Sequence, residues 1–504
     1  MHDVSALQIA DSKIQTGIDG VDKILRGGLP RNRLYVVEGS PGSGKTTLAL
    51  QFLLEGIRHG ETVLYVTLSE TAEELYEVAR SHNWSLEGIH LLELDSLAER
   101  IREDTDYTVY HPADVELVET TRRIREEVER IRPTRVALDS VSELKILSQT
   151  IARYRREILG FKQFFVGKRC TVMVLDDLTS AKNEQQLQSI AHGVIRMERE
   201  TRDYGTTRRQ LHIIKMRAVP FQEGLHDFVI RAGGLEVFPR LTVREHPMTH
   251  RKIDATVESG VKELDTLLGS GLDRASSTLI LGPAGCGKTT ISAQFMIAAL
   301  GRGEPVLCFL FEERYETFLQ RAAGLGMNFE SHLESGLLEL VQIDPAELSP
   351  GEFAHYIHTR VESRGVQMVV IDSLNGYVNA MPNERFLMIQ MHELLTYLGQ
   401  KGVVTLLVMA QHGMMGPMGS TPVPVDVSFL ADTVILLRYF EAQGAIRQAI
   451  SVVKKRRGAH ERTIRELQLT ATGVLLGEPL REFEGVLTGV PRYRGTQRPL
   501  LKET

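Results

Sequence analysis

The sequence predicts an α/β fold built twice: two tandem domains, each a mainly parallel, twisted sheet flanked by helices. Three observations carry this expectation. Apolar, β-branched runs bounded by turn residues alternate with stretches of helical period, the pattern of a parallel sheet with crossover helices. The glycine-rich string Gly39-Ser-Pro-Gly-Ser-Gly44-Lys45-Thr46 recurs as Gly282-Pro-Ala-Gly-Cys-Gly287-Lys288-Thr289, an offset of 243 positions. Segments on both sides of the string keep that offset, so a domain is repeated and not merely a loop.

The elements follow in order. Thr16-Gly-Ile-Asp-Gly-Val-Asp22 faces Ser259-Gly-Val-Lys-Glu-Leu-Asp265, and the apolar runs Leu34–Val37 and Thr278–Leu281 read as strands that deliver the two glycine strings to helix-like stretches. Val63–Glu70 answers Val306–Glu313, so no net gap separates the first strand from the second. Val136-Ala-Leu-Asp139-Ser140 then pairs with Val369-Val-Ile-Asp372-Ser373 at an offset of 233, ten fewer than before. The surplus in the first copy is expected around Asp104–Pro112, a loop candidate because proline and polar residues interrupt any period there. Late strands, Leu211–Arg217 and Ile450–Arg456, close each copy.

Between the copies, Pro239 to Val257 carries arginines, histidines and few apolar residues and reads as a junction. The expected domains are 1–240 and 258–490, with a linker at 241–257 and a short tail at 491–504.

Composition narrows the class. Hydrophobic residues at 42% and charged residues at 25% of 504 suit two globular cores. A net charge of −6 argues against a constitutive nucleic-acid coat. Cys170, Cys286 and Cys308 form no C-x-x-C pair, so neither a zinc site nor a disulfide framework is indicated, and a reducing compartment fits. No apolar run approaches a membrane span, and the N-terminus lacks a basic region followed by an apolar core. A cytoplasmic protein with no membrane partner is therefore expected.

The repeated string matches G-x-x-x-x-G-K-[ST], whose spelling follows from phosphate chemistry. Glycines let successive N–H groups turn toward the anion, and the helix N-terminus adds roughly half a positive charge. The expected nucleotide cradle is Gly39, Ser40, Pro41, Gly42, Ser43, Gly44, Lys45, Thr46 and Thr47 in the first copy. In the second it is Gly282, Pro283, Ala284, Gly285, Cys286, Gly287, Lys288, Thr289 and Thr290. Lys45 and Lys288 would reach the β/γ-phosphates, and the Thr46 and Thr289 hydroxyls would face Mg2+. No guanine-reading N-K-x-D segment follows the loops, so ATP is the expected nucleotide.

Hydrolysis also needs a held metal and an aimed water. Asp139 and Asp372 close apolar strands and are the metal-binding candidates beside the two threonines; a solvated strand-end acid is the plain alternative. Glu70, Glu312 and Glu313 end the neighbouring strand, where a carboxylate can orient or deprotonate water. Ser69 stands in the place of Glu312 in the first copy. The alternative for Glu70 is a helix cap, because Thr71-Ala-Glu-Glu-Leu75 reads as a helix start. Lys215, Arg217, Lys454 and Arg456 alternate with apolar neighbours and could reach a neighbouring subunit's γ-phosphate, where an arginine in trans is worth ~10³–10⁵ in rate. A charge-protected edge strand is the alternative there. Cys286 reads chiefly as a small side chain that fits its loop, and Trp84 as core or interface.

Together the tandem loops, the Phe311-Glu-Glu313 strand end, the Asp-Ser pairs and the Lys-x-Arg strands resemble the KaiC family, double-domain RecA-like ATPases of the cyanobacterial clock, over nearly the whole chain. The resemblance implies two tandem RecA-like P-loop NTPase domains assembled as a double-ring homo-hexamer. It further implies ATP between subunits, slow hydrolysis, and a second ring that phosphorylates adjacent Ser and Thr residues. It favours the interface role of Lys215, Arg217, Lys454 and Arg456. Departures limit the transfer. The acceptor pair falls within Val425–Thr433, where Ser428 keeps a hydroxyl and Phe429 replaces the threonine, so Ser428 alone is a candidate phospho-acceptor. The tail bound by KaiA in that family is shorter here and unlike in composition, which weighs against KaiA binding. Tyr107 to Leu117 is also unlike the clock protein, which weighs against docking of KaiB itself; a KaiB-like or other signalling protein remains the partner class. The resulting reading is a signalling or stress-response switch without a warrant for circadian timing.

Two other classes compete. A RecA-type recombinase or helicase would offer basic loops to DNA, but Gln411–Asp426 contains no Lys or Arg, so no nucleic acid is expected. A scaffold that uses nucleotide only to assemble needs no turnover, and the retained Glu70, Glu312 and Glu313 argue against it.

Overall fold

The computed structural model describes residues 13–94, 112–178, 185–201, 205–242, 255–344, 346–379, 384–411, 428–487 and 491–494. The chain forms two compact units that divide between Arg240 and Leu241.

In the first unit a short ribbon, β1 (Lys13–Ile14) with β2 (Leu29–Pro30), brackets α1 (Asp19–Ile24). β3 (Leu34–Gly39) runs through the glycine loop into α2 (Lys45–Arg58). Next come β4 (Val63–Thr67), α3 (Ala72–Ser81), β5 (Ile89–Glu93), α4 (Pro112–Ile131) and β6 (Arg135–Asp139). They are followed by α5 (Val141–Leu147), α6 (Ile151–Gly167), β7 (Thr171–Asp177), α7 (Gln185–Ile190) and β8 (Gly193–Glu200). Three antiparallel strands, β9 (Arg208–Met216), β10 (His226–Arg231) and β11 (Gly234–Phe238), finish the sheet. Its order is β11-β10-β9-β8-β3-β7-β6-β4-β5, parallel from β8 to β5.

The second unit repeats the plan. β12 (Thr256–Val257), α8 (Lys262–Leu267) and β13 (Leu272–Asp273) precede β14 (Ser277–Gly282), its loop and α9 (Lys288–Gly301). β15 (Val306–Leu310), α10 (Tyr315–Gly324), α11 (Glu330–Glu334), β16 (Leu338–Gln342), α12 (Pro350–Arg364) and β17 (Met368–Asp372) follow. Then come α13 (Leu374–Asn379), α14 (Glu384–Gln400), β18 (Val404–Ala410) and β19 (Thr433–Ala442). β20 (Ala445–Lys455), β21 (Ile464–Thr470) and β22 (Gly473–Pro479) complete the sheet, before the ribbon β23 (Phe483–Glu484) with β24 (Arg492–Tyr493). The order β16-β15-β17-β18-β14-β19-β20-β21-β22 is the first sheet's order, element for element.

The margins differ from the sequence expectation. Thr256 and Val257, assigned above to the linker, form β12, because Val257 is buried beside Leu272 in the second core. Arg492 and Tyr493, assigned to the tail, pair back onto Glu484 and Phe483. Pro112 begins α4, which is 20 residues long against 15 in α12, so part of the first copy's surplus is helical. The rest of the Asp104–Pro112 segment lies outside the described residues, as does the first part of Tyr107–Leu117, residues 107–111.

Helices cover both sheet faces, so β3, β4 and β6 bury every residue and read as unbroken apolar runs. Alternation sorts their side chains: Val63 and Tyr65 enter the core on the α2 side, Leu64 and Val66 the opposite core. Charged residues interrupt this apolar interior, Glu38 and Arg135 most deeply among the strands named. Glu38 on β3 is 1% exposed and accepts from Arg196 of β8, across from it in register, and from Gln188. Leu281 and Leu436 hold that same register in the second sheet. Arg135 on β6, also 1% exposed, binds the Glu61 carboxylate and the Gln15 and Phe52 carbonyls; Met368 begins the matching strand β17. Among the described residues no helix is long and apolar enough to cross a membrane.

Candidate functional site

Both glycine loops end in a left-handed glycine at the helix start, Gly44 with φ 102° and Gly287 with φ 97°. A Cβ on Gly44 would lie 2.7 Å from Ile230 Cδ1, so both conformation and space exclude a side chain. Neither α2 nor α9 has a side-chain cap. Their first-turn N–H groups therefore remain available to an anion. Lys45 and Lys288 are buried: Lys45 Nζ donates to the Gly39 and Ser40 carbonyls at 3.1 Å each, and Lys288 Nζ to the Pro283 carbonyl at 2.6 Å. Cys286 is buried as well, and burial pushes its thiol above the usual range, although Lys288 and Arg438 oppose this. A thiol held protonated is a poor oxidant sensor and suits a packing role.

The acids gather beyond the same strand ends. Asp139, the last residue of β6, accepts at Oδ2 from the Thr46 hydroxyl at 2.9 Å. Tyr65 donates to the same oxygen at 2.6 Å, and burial raises the Asp139 carboxyl against both hydrogen bonds. Asp372 ends β17 in the second unit. Burial raises it to about 6, against a hydrogen bond from Thr289, and its Oδ2 is buried without a hydrogen-bond partner among the described residues.

Glu70 lies three residues beyond β4. The cap of α3 is Thr71, whose side chain and that of Glu74 form a reciprocal capping box, so Glu70 is not consumed as a cap. Its Oε2 is buried without a partner among the described residues. Burial pushes its carboxyl up to about 7, with Asp139 the next contributor. Glu313, its counterpart, has a raised carboxyl through burial but is tethered to Arg321 at 2.7 Å. Glu312 is exposed.

The structure does not bring the Lys-x-Arg pairs to the loops of their own units. Lys215 pairs in register with Val194, and Val194 with Val36, in the half of β3 away from Gly39. Lys454 pairs with Val434, which pairs with Leu279, in the corresponding half of β14. Each pair holds the chain entering the neighbouring strand. Lys215 and Arg217 donate to the Gln188 and Ser189 carbonyls at 2.6 and 3.1 Å. Lys454 donates to the Ser428 and Ala431 carbonyls at 2.8 Å, and Arg456 to that of Phe429 at 2.9 Å. Ser428 is half-buried and Phe429 exposed.

Two site residues escaped the sequence reading: Tyr65, and Asp177, whose Oδ1 lies 2.7 Å from Lys45 Nζ. Both stand where the copies disagree, against Cys308 and Ala410 respectively, and that disagreement was their signal.

The arrangement suits a magnesium nucleotide. Phosphate fits the uncapped helix start and the loop lysine. Among the described residues no three His, Cys, Asp or Glu side chains form a metal cage. The Thr46–Asp139 and Thr289–Asp372 pairs instead offer the few oxygen ligands that Mg2+ takes from protein when phosphates and water supply the rest.

Comparison with known proteins gives the same answer. The family profile described as "ATPase: KaiC" matches residues 14–242 and 257–481, once per unit. The circadian clock oscillator protein KaiC of Thermostichus vulcanus is 29% identical over 488 residues, covering 95% of this chain and 92% of the relative. That of Synechococcus elongatus is 28% identical, covering 96% and 92%. The circadian clock protein KaiC3 of Synechocystis sp. is 27% identical, covering 95% of each chain. With the profile matched in both units and relatives aligned along nearly the full length, the chain belongs to the KaiC ATPase family.

Proposed function

We propose that the protein is a KaiC-type ring ATPase: a double-ring homo-hexamer that binds and hydrolyses ATP with Mg2+ at both loops and acts as a signalling or stress-response switch. One observation carries the reading. In each unit the loop lysine, a threonine–aspartate pair and a glutamate meet beyond the carboxyl ends of neighbouring strands, where ligands bind in such sheets.

Bound ATP supplies the phosphoanhydride bond, and Mg2+ neutralises charge on its phosphates. Lys45 and Lys288 turn from loop carbonyls to phosphate oxygens. Thr46 with Asp139, and Thr289 with Asp372, hold the metal. Glu70 and Glu313 orient the attacking water and accept its proton, Glu313 after release from Arg321. Lys215, Arg217, Lys454 and Arg456, remote from their own loops, serve the loop of the next subunit.

Native mass spectrometry with ATP and ADP-release assays test the reading. A hexamer is expected, assembling less well in Lys45→Ala than in Lys288→Ala. Glu70→Gln with Glu313→Gln is expected to lower release by ~10²–10⁴ while nucleotide still binds. Unchanged release in that double variant would instead favour a nucleotide-assembled scaffold.

Ser428 is the candidate acceptor for autophosphorylation. Support comes from Lys454 and Arg456, which anchor the carbonyls of Ser428 and Phe429 beside the proposed intersubunit site. Peptide mapping after incubation with ATP and Mg2+ decides it, and a Ser428 peptide without phosphate removes the kinase activity from the proposal. A pull-down from the source cell tests for a KaiB-like or other signalling partner.

A further inference from the structure

The strand end beside the first glycine loop carries a charge that its counterpart lacks. Asp177 closes β7 directly across from Gly39 in register, and its carboxylate pairs with Lys45 at 2.7 Å. Ala410 occupies the same register on β18, across from Gly282.

An ammonium group has three hydrogens to donate. Lys45 directs them to Gly39 O, Ser40 O and Asp177 Oδ1, whereas Lys288 donates to the Pro283 carbonyl. A phosphate reaching Lys45 must displace a carboxylate that is itself negative and stays beside the incoming charge. Asp177 is held in place for this encounter, since its backbone N–H donates to Ser142 Oγ at 3.0 Å. Its side chain is 30% exposed.

We propose that Asp177 competes with the γ-phosphate for Lys45 and so sets the nucleotide preference of the first site. ATP, which would bring one more negative phosphate to Lys45 than ADP does, is disfavoured more than ADP. Once the γ-phosphate has left, the ion pair re-forms over bound diphosphate. The first site thus discriminates less in favour of ATP than the second. Asp177 is a positioning residue: it acts through Lys45 and touches no reacting atom. The inference rests on both loops being ATP sites.

The test uses the full chain with the second site silenced by Lys288→Ala, and compares binding of AMP-PNP, a non-hydrolysable ATP analogue, with binding of ADP. Asp177→Asn, nearly isosteric, is expected to tighten AMP-PNP by about tenfold and ADP by no more than about threefold. Asp177→Glu is expected to restore the wild-type ratio. Conversely, Ala410→Asp in a Lys45→Ala background should weaken AMP-PNP at the second site by about tenfold. An AMP-PNP/ADP ratio unchanged by Asp177→Asn and Ala410→Asp, with nucleotide bound, overturns the inference alone. Absence of binding at the first site in wild type and Asp177→Asn alike overturns the ATP-site reading, and the inference with it.

Discussion

The Tyr65 hydroxyl donates to Oδ2 of Asp139 across 2.6 Å, sharing that oxygen with the Thr46 hydroxyl. Cys308 takes the place of Tyr65 in the second unit, and Oδ2 of Asp372 there has no partner among the described residues. Two metal-binding candidates of one origin therefore have unequal support. An outer group that fixes a ligand's orientation typically changes metal affinity by about 10–100-fold. Tyr65→Phe, read in a Lys288→Ala background, is expected to raise the Mg2+ needed for half-maximal ADP release by about tenfold. Loss of one buried hydrogen bond should cost the first unit about 1 kcal/mol in denaturant unfolding. An unchanged Mg2+ requirement would reduce Tyr65 to packing.

Glu70 gives a pH prediction. Burial, then repulsion from Asp139, Glu74 and Asp177, raises its carboxyl from 4.5 to about 7. The folded state thus keeps a proton that the unfolded chain releases, so stability falls as pH rises from about 4.5 through about 7. Glu70→Gln cannot ionise. In nucleotide-free protein it is expected to flatten this decline and to exceed wild type in stability at pH 8, as denaturant titrations at pH 5 and 8 would show. It loses first-site hydrolysis, whereas wild-type first-site turnover climbs with pH toward 7 as the base ionises.

The contrast between these residues shows what a sequence exposes. The loops, Asp139 and Asp372 were legible because each is a local pattern: a glycine spacing, or an apolar run ending in an acid. The parallel part of the sheet was legible for the same reason. Tyr65 inside an apolar strand reads as core, and Asp177 after Asp176 reads as a solvated strand end. Their roles depend on partners 74 positions away for Tyr65 and on a loop far upstream for Asp177. The Glu38–Arg196 pair spans 158 positions, and nothing in either neighbourhood announces it. The Lys-x-Arg pairs were visible as charges on strands, while their hold on Ser189 and Phe429 was not.

Arg135 tests the first core. Its guanidinium is enclosed by Glu61, two backbone carbonyls and the Phe52 ring, whose centroid lies 4.9 Å away. Arg135→Ala strands Glu61 and leaves a cavity, and is expected to cost about 3–5 kcal/mol in unfolding. Arg135→Met, the residue at the second unit's equivalent place, refills the space and should cost clearly less.

The trans action proposed for Lys215 and Arg217 can be separated from their local hold by mixing subunits. The Lys215→Ala/Arg217→Ala variant is expected to lower first-site hydrolysis on the order of 10³-fold. Glu70→Gln should be equally silent there. Rings assembled from both contain sites with an intact Glu70 facing an intact neighbour, so activity should return. Failure to recover would mean that the pair acts only by anchoring residues 188–189.

The pairing of buried Glu38 with half-buried Arg196, matched by Leu281 and Leu436 at the same register, has a consequence for the gene. Tandem repeats invite unequal crossing-over. A breakpoint between the segments encoding β3 and β8 would set the buried Glu38 carboxylate against leucine in one product, an uncompensated charge in its core, and would leave the partly exposed Arg196 guanidinium facing leucine in the other. The two substitutions survive only together. They set a barrier to recombination between the halves, so that one copy would resist being homogenised by its twin.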